Sequence, residues 1–346
     1  MGVRPKNGTE IRSAFNGVLN VTASFPGRSA VSTCLRRFDA RRAAVCLASL
    51  ALTSCVVRVD SPDHVTREEK RFKIQGTAEI SLATFDGGID VRGWDRDEVY
   101  LEIERRGPNK ELVDQLEVTV EQVGDKILVD ARQPPATRYA FGSLTSMSRS
   151  VKLMATIPLD SHLTVRTSDG SITVERVKGR FELRSADGSI TGIDLTGDIF
   201  AHTSSGRIRL QTIDGQCDVE TGDGSITVEG RLDALDARTP DGSLSIKAFE
   251  GSRLTKDWSL SSGDGNIAIY LPEAFSGQLD AQTSDGHTRI DPLFSLQSDS
   301  SDRSRHILRG VLGDGSHTLR VRTLEGSITF KRLPFARARG EDPVER

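Results

Sequence analysis

Residues 167–215 read TSDGSITVERVKGRFELRSADGSITGIDLTGDIFAHTSSGRIRLQTIDG, and they are the most informative part of the chain because they repeat themselves. The repeated unit is Thr/Ser-x-Asp-Gly-x-Ile/Leu. Its glycines recur every 18 residues, at Gly170, Gly188, Gly206, Gly224 and Gly242. A fixed period of this kind predicts a repeat architecture in which each unit is one structural module.

Hydroxyl and apolar residues keep the same register. Three residues before the glycines stand Thr167, Ser185, Thr203, Thr221 and Thr239, and two residues after them stand Ile172, Ile190, Ile208, Ile226 and Leu244. Alternation with period two predicts β-strands with one face inward. We expect two short strands per unit, separated by Asp-Gly turns that adopt positive φ and by a second set of glycine turns. The second glycines are Gly179, Gly197 and Gly215.

Looser copies extend the repeat in both directions. They occur at Gly265, Gly286 and Gly326, with an early copy at Gly87. Ser205 and Glu325 replace the aspartate in two copies. We assign the repeat turns to Asp169, Gly170, Asp187, Gly188, Gly206, Asp223, Gly224, Asp241, Gly242, Asp264, Gly265, Asp285 and Gly286.

Two all-β architectures fit this repeat. In an antiparallel meander, Asp-Gly would close two-residue hairpins. In a β-solenoid, each unit makes one coil of about 18 residues and equivalent residues stack about 4.8 Å apart. The constant unit length favours the solenoid, with extruded turns at SRLTKDW (252–258) and LPEAFS (271–276). The alternating segments of residues 70–131 predict atypical first coils.

The run quoted above and the early segment TFDGGIDVRGWDRDEV (84–99) resemble the bacterial "putative adhesin" family of β-strand repeat proteins, a domain of unknown function. The resemblance covers roughly residues 75–332. It implies a right-handed β-helix-like fold and an envelope location, and it supplies no catalytic residues.

The N-terminal segment has the pattern of a lipoprotein signal. Arg36, Arg37, Arg41 and Arg42 precede an apolar run over 43–52, which ends in Leu-Thr-Ser-Cys55. The run is too short to span a bilayer, and it fits a secretory signal whose lipidation site is Cys55. An ordinary signal peptide with a chance cysteine is the alternative. Val56 after the cysteine favours the outer membrane, by resemblance to lipoprotein sorting.

These features predict four regions: 1–55 as leader with signal peptide, 56–69 as tether, 70–335 as the β-repeat domain and 336–346 as tail. Cys217 is the single cysteine after residue 55, so no internal disulfide is expected there. Residues 1–55 hold 8 of the 46 Lys and Arg and 2 of the 49 Asp and Glu, so residues 56–346 carry 38 basic and 47 acidic residues, a net charge of −9. This balance argues against a nucleic acid partner.

The aspartates of the turns form the strongest candidate for chemistry. Stacked carboxylates could hold calcium or provide a pair for glycoside cleavage. The simpler interpretation is local turn chemistry, with Asp accepting backbone hydrogen bonds. We favour it because each unit has one Asp, Ser205 interrupts the row, and the glycine-rich calcium repeat is missing. We therefore predict no catalytic residue, no metal site and no cofactor.

A second column of residues faces outward and mixes charges: Arg166, Arg184, His202, Glu220 and Arg238. Such a column is usually a solvated face, although it could bind acidic sugars. The function expected is a non-enzymatic, lipid-anchored envelope module, adhesin-like or structural, with an envelope protein or polysaccharide as ligand. The alternatives are an envelope-stress or assembly accessory protein that acts through protein contacts, and a carbohydrate-active β-helix enzyme.

Overall fold

The computed structural model describes residues 64–132, 149–297 and 305–333. Within these ranges the chain forms one short helix, α1 (Lys110–Asp114), and twenty strands. The strands are β1 (His64–Lys73), β2 (Ala78–Thr84), β3 (Ile89–Trp94), β4 (Glu98–Gly107), β5 (Glu117–Val123), β6 (Lys126–Arg132), β7 (Ser150–Pro158), β8 (Ser161–Thr167), β9 (Ile172–Ser185), β10 (Ile190–Thr203), β11 (Ile208–Thr221), β12 (Ile226–Thr239), β13 (Leu244–Ala248), β14 (Trp258–Ser262), β15 (Ile267–Leu271), β16 (Gly277–Asp285), β17 (Thr288–Ile290), β18 (Ile307–Leu312), β19 (Thr318–Glu325) and β20 (Ile328–Arg332).

The regular coils stack in parallel with the register that the repeat predicts. Ile190 of β10 pairs with Ile172 of β9 on one side and with Ile208 of β11 on the other, each 18 residues away. Ile208 pairs in turn with Ile226 of β12. The all-β solenoid of about 18 residues per coil is therefore confirmed, and the hairpin meander is excluded for these coils.

Each regular coil contains one long strand, where two short strands were expected. Strands β9 to β12 each run for 14 residues without interruption. The second glycines bend the strand inside the ladder: Gly179 has φ +146°, and Arg176, three residues earlier, has φ +56°. The bend gives β9, β10 and β11 two outward faces while the parallel pairing of these strands continues on both sides of it.

The inward columns fill one hydrophobic core. The isoleucine column of the turns is buried, with Ile172, Ile190, Ile208 and Ile226 all at 0% exposure. Cys217 lies in a second inward column and pairs in register with Ile199 and Leu235. Period-two alternation thus assigned the inward side of these strands correctly.

The order of the coils in the stack departs from chain order at both ends. The final coil of the chain, β19 and β20, lies between β14–β15 on one side and β16–β17 on the other. The first coil, β2 and β3, likewise lies between β6–β7 and β8–β9. Residues 70–131, predicted as atypical first coils, thus supply β2 and β3 inside the stack and β4, β5 and β6 at its outer end.

Antiparallel strands cover the outermost coils. Strand β4 pairs with β7, and β1 pairs with β4. At the other end β18 pairs with β16, and residues 307–310 belong to β18. The predicted tether, 56–69, overlaps β1, because residues 64–69 already pair with β4. Residues 1–63, 133–148, 298–304 and 334–346 lie outside the described residues, and with them Cys55.

The two extruded turns are confirmed, since residues 249–257 and 272–276 connect strands without belonging to the ladder. In the part of the chain that the structure describes, no helix has the length and apolar character needed to cross a membrane.

Candidate functional site

The Asp-Gly turns are held by hydroxyls, not by their carboxylates. The Thr203 hydroxyl accepts a hydrogen bond from the Gly206 N–H at 3.2 Å and donates to the Gly188 carbonyl oxygen, one coil earlier, at 2.9 Å. The same hydroxyl-to-carbonyl bond is made by Thr167, Ser185, Thr221, Thr239, Ser262, Thr283 and Thr323. The turn aspartates take part in hydrogen bonds among the described residues only through their backbone groups, and their carboxylates accept none. Our explanation of these aspartates as local acceptors was therefore wrong.

The predicted reason for the turn glycines also needs correction. Gly170, Gly188, Gly206, Gly224 and Gly242 do not have positive φ; among the turn glycines it is found at Gly87 and Gly326. The regular turns need glycine because a side chain would collide with the turn of the coil before.

The turn aspartates form an exposed row along one edge of the solenoid. Asp169, Asp187, Asp223, Asp241, Asp264 and Asp285 are all exposed. The coil order inserts Glu325 beside Asp285, with which it pairs in register. Asp86, in the early copy of the repeat, lies near Asp169. Burial and the negative charge of Asp169 raise the pKa of Asp86. Among the described residues, no group of three or more His, Cys, Asp or Glu side chains has a metal-binding arrangement.

Three neighbouring depressions lie on one outward face of the solenoid, formed by β6, β2, β8, the second halves of β9 to β12, and β14; we call it the groove face. Their volumes are about 630, 500 and 330 Å³. Arg184 lines the first and the second depression, and Arg180 and Glu182 line the first and the third. The shared residues make the three depressions one continuous groove.

The groove is long because its strands follow one another in the ladder. The eight strands pair in the order β6, β2, β8, β9, β10, β11, β12 and β14. At ~4.8 Å per strand they span about 34 Å. The extruded turn 249–257 stands at one end, where Lys256 Nζ donates to Gln216 Oε1 at 3.0 Å.

The largest depression contains two neighbouring carboxylates and an aromatic ring. Phe200, Asp218 and Asp236 occupy one outward column and pair in register on adjacent strands. Burial and the negative charge of Asp236 raise the pKa of Asp218. Asp236 Oδ2 accepts a hydrogen bond from Arg238 at 2.6 Å, whereas its Oδ1 is buried without a donor from the described residues. The floor includes Cys217, and burial raises the pKa of its thiol to about 12.

Arginines occupy the opposite part of the groove. Glu182 Oε1 accepts hydrogen bonds from Arg166 at 2.8 Å and from Arg184 at 2.9 Å. These bonds hold the pKa of Glu182 below its usual range. The guanidinium of Arg184 also lies 4.7 Å from the centre of the Phe200 ring. The groove therefore runs from a guanidinium-rich part to a carboxylate-rich part.

The outward column predicted from the sequence belongs to this groove face. Arg166, Arg184, His202, Glu220 and Arg238 pair in register on successive strands. Sequence reasoning missed the parallel column two residues earlier, Glu182, Phe200, Asp218 and Asp236. Its 18-residue spacing could have revealed it, but its residue types differ from coil to coil.

Comparisons with known proteins find one family model and several solved structures that resemble this chain. The family model described as Toastrack DUF4097 matches residues 77–331. Among solved structures, the chain is similar to a "putative adhesin" from Bacteroides fragilis NCTC 9343, with 14% identity, coverage of 78% of this chain and 97% of the other, and a TM-score of 0.40. It is also similar to a "putative cell adhesion protein" from Clostridium sporogenes ATCC 15579, with 10% identity, coverage of 78% and 100%, and a TM-score of 0.26. A "putative lipid binding protein" from Parabacteroides distasonis ATCC 8503 has 15% identity, coverage of 78% and 97%, and a TM-score of 0.35. No curated protein matches the chain.

Proposed function

The chain belongs to the Toastrack DUF4097 family, and from this we propose that it is a non-enzymatic binding module of the bacterial cell envelope that holds an elongated ligand in its groove. The continuous groove of the groove face is the observation that carries the proposal. Its length suits a polymer better than a small molecule. The ligand is an envelope polysaccharide, and the groove offers it side chains for recognition.

A polysaccharide fits the groove better than an extended peptide does. Peptides that add to a sheet pair with the free backbone of an edge strand. The groove-face strands β9 to β12 instead have a parallel partner on both sides. Their outward side chains include carboxylates, guanidinium groups and the half-exposed ring of Phe200. Such groups can hydrogen-bond hydroxyls and stack against a sugar ring.

A lipid on Cys55 anchors the module in the outer membrane. The basic cluster, the short apolar run and the Leu-Thr-Ser-Cys55 ending support this attachment. A lipid anchor is also consistent with the net charge of residues 56–346. A charge of −9 would disfavour direct adsorption of the protein to anionic lipid. Cell fractionation of the Cys55→Ser variant tests the anchor: we expect it in the soluble fraction or unprocessed. Fractionation with the outer membrane, as for the wild type, would contradict the anchor.

The binding proposal is tested with the full-length protein, purified in detergent and screened on a glycan array. We expect binding to at least one polysaccharide class. Phe200→Ala should weaken that binding at least tenfold, which corresponds to about 1.4 kcal/mol. Thr191→Val, on the other outward face, is the matched control and should bind as the wild type does.

Three outcomes would contradict the proposal. Equal binding by Phe200→Ala and Thr191→Val would place the ligand elsewhere. Release of reducing ends from a bound polysaccharide would contradict its non-enzymatic part. Capture of envelope proteins without any glycan binding would favour the accessory-protein alternative.

A further inference from the structure

The second depression of the groove is a notch centred on a small residue. Ala83 of β2 pairs in register with Asp130 of β6 on one side and with Arg166 of β8 on the other. Its methyl group leaves space between longer neighbours. The notch has a volume of about 500 Å³, and Arg132, Arg166 and Arg184 line it. We call it the Ala83 notch.

Two of these guanidinium groups are fixed before any ligand arrives. Arg166 and Arg184 pair in register on adjacent strands and donate to the same oxygen, Glu182 Oε1. The Phe200 ring supports Arg184 from a second side. A guanidinium has five N–H donors, and Glu182 uses one from each arginine. Most donors of both groups therefore have no partner among the described residues, and little side-chain entropy is lost when they bind.

The notch is locally positive in an acidic molecule. Arg132 is paired with Asp130 at 2.7 Å, and Arg166 and Arg184 share the single carboxylate of Glu182. The residues that line the notch thus include three arginines and one carboxylate, Asp130, and the turn aspartates Asp86, Asp169 and Asp187 follow lining residues at its rim. Residues 56–346 as a whole carry a net charge of −9, so an anionic group is repelled by most of the surface and attracted here.

We propose that the Ala83 notch binds a carboxylate or sulfate group of an acidic polysaccharide. This inference rests on the proposed function and names its ligand class. Planar guanidinium groups match the geometry of such oxyanions. The sugar chain then continues along the groove past Phe200. A lipid headgroup would carry the same anionic chemistry, but a single headgroup would leave the remaining length of the groove empty.

The test compares polymers that share one backbone and differ in charge. The probes are polygalacturonate against its methyl ester, and dextran sulfate against dextran, with inorganic phosphate and phosphatidylglycerol vesicles as further arms. The full-length protein should bind at least one charged polymer at least tenfold more tightly than its uncharged counterpart. Added salt should weaken this binding, because it screens exposed charges.

Two variants disrupt the Ala83 notch in different ways. Arg166→Gln/Arg184→Gln removes both guanidinium groups, and Ala83→Glu fills the notch with a negative charge while leaving the arginines in place. Each should reduce binding of the charged polymer at least tenfold, and should reduce binding of its uncharged counterpart by a smaller factor. Arg209→Gln, an exposed arginine on the other outward face, is the control and should bind as the wild type does. Thermal melts verify that each variant is folded.

The outcomes separate this inference from the proposed function. If the wild type binds no polysaccharide at all, the proposed function fails. If it binds charged and uncharged polymers equally, or if both notch variants bind as the control does, the notch assignment alone is wrong. Binding of vesicles or phosphate that the notch variants abolish, without binding of a charged polymer, would overturn the polysaccharide assignment in favour of a phosphate group.

Discussion

A Cβ atom on Gly206 would lie 2.0 Å from the carbonyl oxygen of Gly188, the equivalent residue of the coil before. Real Cβ atoms do not approach backbone oxygens so closely, so the two turns can stack only when glycine occupies the upper one. The same approach recurs at Gly170, Gly188, Gly224, Gly242 and Gly265. Glycine is thus required at Gly206 by coil stacking and not by a positive φ, which this residue does not have.

Gly206→Ala should be strongly destabilising, because the coils must separate or the turn must distort. Overpacking of a tight core usually costs about 1–3 kcal/mol, and backbone contacts place this change at the upper end or beyond. Gly88→Ala is the control, since its Cβ would meet only one atom, at 3.5 Å. Chemical denaturation of residues 60–346, the compact unit that contains every described strand, measures both. Similar unfolding free energies would contradict the stacking argument.

The hydroxyl ladder gives a second prediction. Thr203→Val keeps the shape of the side chain and removes its hydroxyl, which leaves the Gly206 N–H and the Gly188 carbonyl without this partner. Since Thr203 is fully buried, the loss should cost about 1–3 kcal/mol. Thr191→Val, at a half-exposed position of the same strand, should change stability by less than about 0.5 kcal/mol. Paired thermal melts would refute the ladder if both variants lost stability equally.

The regular coils could be predicted from the sequence because a single 18-residue period determines their length and their pairing register. Parallel stacking requires that equivalent residues recur at constant spacing, and Ile190, Ile208 and Ile226 satisfy this directly. The coil order at the ends was not predictable in the same way. The copies at Gly286 and Gly326 look alike in sequence, and the residues around them do not indicate which copy pairs with the coil of Gly265.

The candidate site was predictable only in part. The outward column that contains Arg166 and Arg184 followed from alternation. The groove depends on features that have no sequence pattern of their own. One is the bend at the second glycines, another is the small side chain of Ala83 beside long neighbours, and a third is the sharing of Glu182 by two arginines. These become visible only when strands that are distant in the chain are placed side by side.

The period-two alternation predicts that substitutions at two neighbouring residues differ greatly in their effect on stability. Ile208 is fully buried in the middle of the stack, whereas Arg209 points outward. Ile208→Ala should leave a cavity and cost about 2–5 kcal/mol. Arg209→Ala should cost no more than about 0.5 kcal/mol. Equal losses of melting temperature would show that the register of this strand is wrong.

Cys217 should be chemically inert in the folded protein. Burial, with a contribution from the nearby charge of Asp218, raises the pKa of its thiol to about 12. Because the thiolate is the reactive form, and only on the order of one thiol in ten thousand is ionised at pH 8, labelling should be very slow. Labelling with a thiol reagent at pH 8, followed by peptide mapping, should modify Cys217 only after denaturation. Rapid labelling of the native protein would contradict the buried assignment.

The exchanged order of the last coils predicts an unusual response to truncation. Strands β19 and β20 are the parallel partners of β16 and β17, and they also pair with β14 and β15. Removal of residues 316–346 should therefore release β16, which keeps only its antiparallel partner β18. If the coils followed chain order, β16 would remain paired with β14 and stay protected. Hydrogen exchange of peptides covering 277–285 distinguishes the two cases: we expect near-complete loss of protection in the truncated protein.

Removal of residues 336–346 alone is the control, because these residues follow the last strand, and it should leave the exchange of β16 unchanged. Retained protection of β16 after the longer truncation would show that the coil order described here is wrong.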